Sequence, residues 1–278
     1  MLMDDTGLAW IFRGDDWTAC ADTLTATEYP EEFALSTYLD ADAVEGACLA
    51  GFMPMSSRFT VPVGFPYGEP ESSGENPSGQ DGQIRTFYTP KLHQLRYLLK
   101  PQDMGITATT RRASRHFMIS VNKAFAETLA ACVETHGDGW LTPPLTKVFM
   151  ELHAGRSKRQ VHFVSIELWK DGVLVAGEIG YSSGASYASL SGFYRLSGAG
   201  TVQLAALAGI LAESGFTIWD LGMPIPYKSR LGGCPFLRHQ FLPRVREAYH
   251  QSPGQALNLA REAVPVCLPC ACTLQGCG

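Results

Sequence analysis

The sequence predicts an α+β fold, and three observations carry that prediction. Strand and helix patterns are interspersed along the chain. The apolar alternation of 161–179 is broken once, by Lys170-Asp171-Gly172, whose Asp-Gly pair is a strong hairpin signal. A further strand then runs into a glycine turn, an apolar helix and another strand, an order that builds a mixed sheet. A strand feeding a glycine-rich turn and helix leaves backbone N–H groups facing an incoming anion or acyl donor, so one acyl-transfer domain is expected.

Taken in order, Leu39, Val44, Ala47, Cys48 and Phe52 fall near helical spacing, with Asp40 as N-cap and Gly51 ending the helix. Glycine, proline, serine and acids fill 64–83, which predicts a flexible surface loop. Structure resumes at 84–99, followed by a basic helix or turn and a strand. Phe125, Leu129, Cys132 and Val133 mark one face of a helix over 122–134, and Pro143-Pro144 opens a second over 142–153. Strands are expected at 161–169, 173–179, 187–193 and 216–221, a helix at 201–213, a loop at 222–233 and a closing element at 236–245. These elements group into an N-terminal domain (1–115), a catalytic domain (116–250) and a Cys-rich tail (251–278).

At 278 residues and 45% apolar content the chain can bury a real core. No apolar run approaches the ~20 residues of a membrane helix, and the acidic start MLMDDTGLAW lacks the basic region of a secretory signal, so a cytoplasmic protein is expected. The net charge of −5 is unevenly spread. Residues 1–84 carry 15 acids and 2 bases, whereas 85–123 carry 8 bases and one acid, Asp103. Lys228, Arg230, Arg238, Arg244 and Arg246 form a second basic block, and the two blocks suit a phosphate-binding face. Seven scattered histidines show no paired spacing, and no G-x-S-x-G elbow occurs, which argues against a hydrolase. Cys267, Cys270, Cys272 and Cys277 match no standard zinc pattern, so no metal is expected.

Particular segments now become recognisable: AGFMPM (50–55), FYTP (87–90), NKAF (122–125), GWLTPPLTKVFMELH (139–153), SIELWKDGVLVAGEIG (165–180), Trp219-Asp220 and LGG (231–233). The chain resembles the leucyl/phenylalanyl-tRNA–protein transferase family. That resemblance implies a small N-terminal α/β domain packed on a GNAT-like acyltransferase domain with a central mixed sheet. It also implies an aminoacyl-tRNA donor, a protein or peptide N-terminus beginning with Arg or Lys as acceptor, no membrane and no cofactor. Asp220 matches the acid of the family's D-x-Q active-site strand, with Gly222 in place of the glutamine, and is the catalytic candidate. Donor binding falls to Trp140 and Met55 around the terminal adenine. Tyr187, Leu204, Leu207 and Leu211 line the side-chain pocket. Leu190 stands where the family has a glutamate, and Glu178 occupies a usually apolar position.

Arg111, Arg112 and Arg115 are candidate tRNA contacts. Arg195, Gly198 and Gly200 fit R-x-x-G-x-G, the turn by which GNAT enzymes cradle a pyrophosphate. This motif supports a second hypothesis, an N-acyltransferase using acetyl-CoA or another acyl-CoA. A homologue that only binds a protein N-terminus or RNA is the non-enzymatic alternative.

Overall fold

The computed structural model describes residues 1–70, 82–257 and 261–268. The chain divides into two compact units, each assembled from two segments: 1–94 with 136–159, and 95–135 with 160–278. The chain begins with β1 (Leu2–Met3), β2 (Ala9–Ile11), α1 (Trp17–Ala26), β3 (Ala34–Ser36), α2 (Ala41–Ala50), β4 (Ser56–Val61), β5 (Glu69–Pro70) and β6 (Gln83–Tyr88). It then enters the second unit through β7 (Leu95–Leu99), α3 (Ala108–Ser114), β8 (Met118–Val121) and α4 (Phe125–His136). Helix α5 (Pro143–Glu151) returns to the first unit. The remainder comprises β9 (His162–Lys170), β10 (Val173–Ser183), β11 (Ser186–Tyr194), α6 (Ala199–Glu213), β12 (Ile218–Gly222), α7 (Pro226–Arg230), β13 (Cys234–Leu237), α8 (Arg238–Tyr249) and β14 (Arg261–Pro265).

In the first unit the strand order is β1-β2-β3-β6-β4, with β5 also paired to β6. Asp16 and Asp40 cap α1 and α2 by accepting from Ala19 N and Ala43 N, each at 2.9 Å, and Gly51 ends α2 in the left-handed region at φ 96°. Trp17, Phe52 and Tyr88 pack edge to face at the centre of the unit. Glu45 of α2 is buried and accepts from the Ser157 hydroxyl and from Lys158 N and Arg159 N at 3.1 Å. Those bonds satisfy a buried carboxylate and tie 157–159 to the first unit.

The second unit holds an eight-stranded mixed sheet in the order β13-β7-β12-β11-β10-β9-β8-β14, in which β11 and β12 are the parallel pair. The expected hairpin is present: Asp171 and Gly172 both have positive φ, 52° and 77°, as a two-residue primed turn requires. Helix α6 is apolar on most of its circumference. It buries Val202, Ala205, Leu207 and Leu211 against Ile166, Leu168, Ala176 and Trp219 of the sheet. Each fully buried leucine contributes about 1.5–3 kcal/mol of transfer free energy. On the opposite face Glu167 is buried and accepts from Ser120 and Ser165 and from Ala124 N at the start of α4.

The units do not divide the chain at 115/116. Strand β7 is hydrogen-bonded between β12 and β13, so the second unit begins at Leu95, and 136–159 belongs with the first unit through Glu45. The stretch expected as loop over 222–233 contains the single-turn helix α7. The closing element over 236–245 is strand β13 followed by α8, which carries Pro243 inside it. Most of the 64–83 loop, at 71–81, and Cys270, Cys272 and Cys277 lie outside the described residues.

Candidate functional site

The parallel pair of the second unit is joined over only three rungs: Ser186↔Ile218, Tyr187↔Trp219 and Ala188↔Asp220. Beyond Ala188, β11 continues to Tyr194 paired with β10 alone, so the carboxyl ends of β11 and β12 part as a fork. Two register shifts flank it. Between Ile179 and Gly180 the β10 ladder skips Leu190, and between Asp220 and Gly222 the β7 ladder skips Leu221. Bulges of this kind re-aim side chains, and the carboxyl ends of parallel strands are where open α/β sheets bind ligands.

On the α6 side of the sheet, a polar network is centred on Glu178, which is 3% exposed. Its Oε1 accepts from the Tyr187 hydroxyl at 2.8 Å and the Ser189 hydroxyl at 2.7 Å, and its Oε2 from Gln203 Nε2 of α6 at 3.2 Å. Trp219 Nε1 donates to Ser189 Oγ at 2.9 Å. Burial pushes the Glu178 carboxyl above the ordinary carboxylate range, against the opposing pull of those three hydrogen bonds and of Lys228. The Tyr187 phenol is raised well above its usual value by burial and then by the adjacent Glu178. From α7, the buried Lys228 donates to the carbonyls of Leu221 and Met223. Burial lowers its ammonium pKa, while Asp220 and Glu178 work to raise it.

Asp220 is buried in a different arrangement. Its Oδ2 pairs with Arg96 Nη1 of β7 at 2.9 Å and its Oδ1 accepts from Gly222 N at 2.8 Å. The Arg96 guanidinium in turn lies over the Phe241 ring of α8, 4.5 Å from its centroid. The sequence candidate is therefore half of a buried ion pair, with both carboxylate oxygens bound, at the root of the fork.

The stretch containing β8 to α7 and most of α8 also carries the clearest relationship to known proteins. The sequence profile described as leucyl/phenylalanyl-tRNA protein transferase matches residues 98–246. The chain belongs to that family. Similar relatives described as leucyl/phenylalanyl-tRNA–protein transferases include one from Ralstonia pickettii, 31% identical over 163 residues, covering 55% of this chain and 64% of that protein. Another, from Azoarcus sp., is 30% identical over 181 residues, covering 63% and 74%. One from Pseudomonas paraeruginosa is 28% identical over 184 residues, covering 64% and 78%. The match thus spans just under two thirds of the first relative and about three quarters of the other two. Among solved structures, a conserved protein of unknown function from Bacteroides thetaiotaomicron covers 87% of this chain and 75% of its own at 10% identity, with a TM-score of 0.36, too weak a likeness to define the fold.

In this member of the leucyl/phenylalanyl-tRNA–protein transferase family, the sequence candidates fall into separate groups. Glu178 and Tyr187 share the network on the α6 side of the fork, whereas Asp220, next to Trp219 on β12, points to the opposite face, where Arg96 and Phe241 of α8 hold it. Leu207 and Leu211 are wholly buried in the core beneath α6 with Tyr187, Leu204 is half-buried beside them, and Leu190 occupies the β11 bulge. Gly198 caps α6 at φ 79° and Gly200 lies in its first turn. The Arg195 guanidinium is engaged by the Leu174 carbonyl at 3.1 Å and by Glu134 at 3.3 Å. Arg111 and Arg112 stand in the last turn of α3 and Arg115 caps it, with Arg112 and Arg115 exposed.

Within the first unit Met55 and Trp140, both half-buried, are brought together through Ser56. That residue follows Met55 and donates to the Trp140 carbonyl from its N at 3.1 Å and its hydroxyl at 2.9 Å. Arg58 pairs with Asp138 at 2.7 Å and holds the same turn.

Sequence reasoning missed Arg96, Ser189 and Gln203, and it set Lys228 and Arg238 on a phosphate-binding face, whereas both are buried and Lys228 donates to backbone carbonyls. A signal existed for two of the missed residues. Arg96 in QLRYLL and Gln203 in VQLAAL are single polar residues inside apolar segments, and a buried cation or amide in such a place needs a partner elsewhere in the chain.

Proposed function

We propose that this chain transfers an aminoacyl group from aminoacyl-tRNA to the N-terminal amine of a protein. The donor residue is Leu, Phe or Met, the acceptor begins with Arg or Lys, and the product is marked for turnover in the cytoplasm. The family match across 98–246, which includes Glu178, Tyr187, Ser189 and Asp220, is the observation that carries this reading. The acceptor amine attacks the ester carbonyl of the donor at the fork, and holding the two together supplies much of the acceleration. Asp220, clamped by Arg96 and by Gly222 N, serves there as a fixed anion that orients the amine. Trp140 and Met55 take the terminal adenine, for which stacking on an aromatic ring contributes about 1–3 kcal/mol. Arg111, Arg112 and Arg115 contact tRNA phosphates rather than bases.

A second reading, an acyl-CoA N-acyltransferase, draws on the Gly198 cap and the N-terminal turn of α6, which has no side-chain cap. It is weakened by the commitment of Arg195 to Leu174 and Glu134. The two are separated by incubating the protein with labelled Leu-tRNA, Phe-tRNA or acetyl-CoA and a peptide beginning with Arg or Lys. Label entering the peptide from either tRNA and not from acetyl-CoA is the expected result. The reverse pattern overturns the tRNA reading.

A further inference from the structure

Asp220 is fixed as an anion by Arg96 on one oxygen and Gly222 N on the other, which suits it to orienting the amine rather than to carrying off its proton. Gly222, where the family pattern has a glutamine, has no side chain to receive it either. Yet the attacking amine must shed a proton as it becomes an amide nitrogen.

The fork offers another acceptor. On the α6 face Glu178 is a buried carboxylate whose three hydrogen-bond donors, Tyr187, Ser189 and Gln203, are all neutral. Lys228, the nearby cation, spends its ammonium on two carbonyls. A buried carboxylate without a directly bound cation gains from taking up a proton, and burial lifts Glu178 in that direction. Ser189 is the half-buried member of the network. Its hydroxyl donates to Glu178 and accepts from Trp219 Nε1, which leaves one lone pair able to accept from a substrate N–H. Tyr187 holds the same Glu178 oxygen from the other side at 2.8 Å, so the carboxylate is fixed toward Ser189.

We propose that Ser189 and Glu178 form the proton relay of the transfer reaction, Ser189 touching the acceptor amine and Glu178 storing its proton. The inference rests on the aminoacyl-transfer reading above. As the amine lone pair attacks the ester carbonyl carbon, an amine proton passes to Ser189 Oγ and the serine proton passes to Glu178 Oε1. The ester C–O bond then breaks, the tRNA 3′-oxygen leaves with the bonding pair, and the proton returns from Glu178 through Ser189 to that oxygen. Charge and atoms balance without a further reactant.

The test is single-turnover transfer from labelled Leu-tRNA to an Arg-initiated peptide across pH, for the parent protein, Glu178→Gln, Ser189→Ala and Ser189→Thr. Folding is checked by circular dichroism, and tRNA binding is measured alongside. The parent rate should rise with pH through an inflection above the ordinary carboxylate range and then level. Glu178→Gln should lower the plateau by about 10²-fold or more, the usual scale for a general base, and abolish the inflection while tRNA binding is unchanged. Ser189→Ala should do the same, with partial recovery in Ser189→Thr, which decides the matter if Glu178→Gln does not fold. An active parent with an equally active Glu178→Gln and an unaltered pH profile overturns the relay and leaves the transferase reading standing. A parent silent with every aminoacyl-tRNA overturns both.

Discussion

Replacing Asp220 by Asn tests whether the ion pair at the root of the fork holds the second unit together. The side chains of Arg96 and Asp220 are 0% and 3% exposed, so neither charge is rescued by water once its partner is gone. Asn preserves the acceptor for Gly222 N but leaves the guanidinium over Phe241 with no counter-charge from Asp220. Breaking a buried pair from one side costs about 3–5 kcal/mol, far above the ~0–1 kcal/mol of an exposed pair. With roughly 2–4 °C per kcal/mol for a domain of 150–250 residues, the melting temperature of the second unit should fall by roughly 6–20 °C. Thermal and urea unfolding followed by tryptophan fluorescence measures it, since Trp219 is wholly buried one residue away. Combining Asp220→Asn with Arg96→Met should cost less than the sum of the single changes, because the orphaned cation is removed with its partner. Turnover, assayed at a temperature where Asp220→Asn is folded, should also drop by roughly 10²-fold, because the anion at the fork is lost. A variant within 1 kcal/mol of the parent, or a strictly additive double variant, refutes the structural argument.

Glu178→Gln should become more stable relative to the parent as pH rises. Burial raises the folded-state pKa of Glu178 above the ordinary 4.5, so its contribution is fully present below that value and is lost as pH climbs through the folded pKa. Urea midpoints of the two proteins from acid to mildly alkaline pH give the difference, and parallel curves would count against a raised Glu178. Gly180→Ala should destabilise by about 1–3 kcal/mol, since a Cβ there would stand 2.4 Å from both the Ala188 carbonyl oxygen and the Tyr187 hydroxyl. Differential scanning calorimetry detects it, and an unchanged melt would show that Tyr187 is not held as described. Affinity for tRNA should fall steeply with salt, and neutralising Arg111, Arg112 and Arg115 together should flatten the slope. An affinity indifferent to salt speaks against phosphate contacts.

Elements with local signals were legible in the sequence, and those set by distant partners were not. The Asp171-Gly172 turn and the caps of α2 are fixed by the backbone preferences of a few adjacent residues, and they stand where expected. Helix α8 was hidden by Pro243, which local rules treat as a break. The helix continues through it while burying Phe241, Leu242 and Val245. At the site, Asp220 was visible as an acid closing an apolar strand, but its pairing with Arg96 spans 124 residues of sequence and has no local trace. The same holds for Glu178. Its position on β10 was legible, whereas the β11 bulge that lets Tyr187 and Ser189 both reach its carboxylate is set by sheet register.

The interleaving of the two units bears on how the protein can be made and cut. Neither unit is a continuous stretch of chain, so no single truncation yields either one whole. During synthesis the first unit lacks the backbone groups that satisfy Glu45 until residue 159 has emerged, by which time 95–135 is already outside the ribosome without its partner strands. Strands β7 and β8 must therefore wait as unpaired edges, exposed to association with other chains, until β9 and β12 arrive.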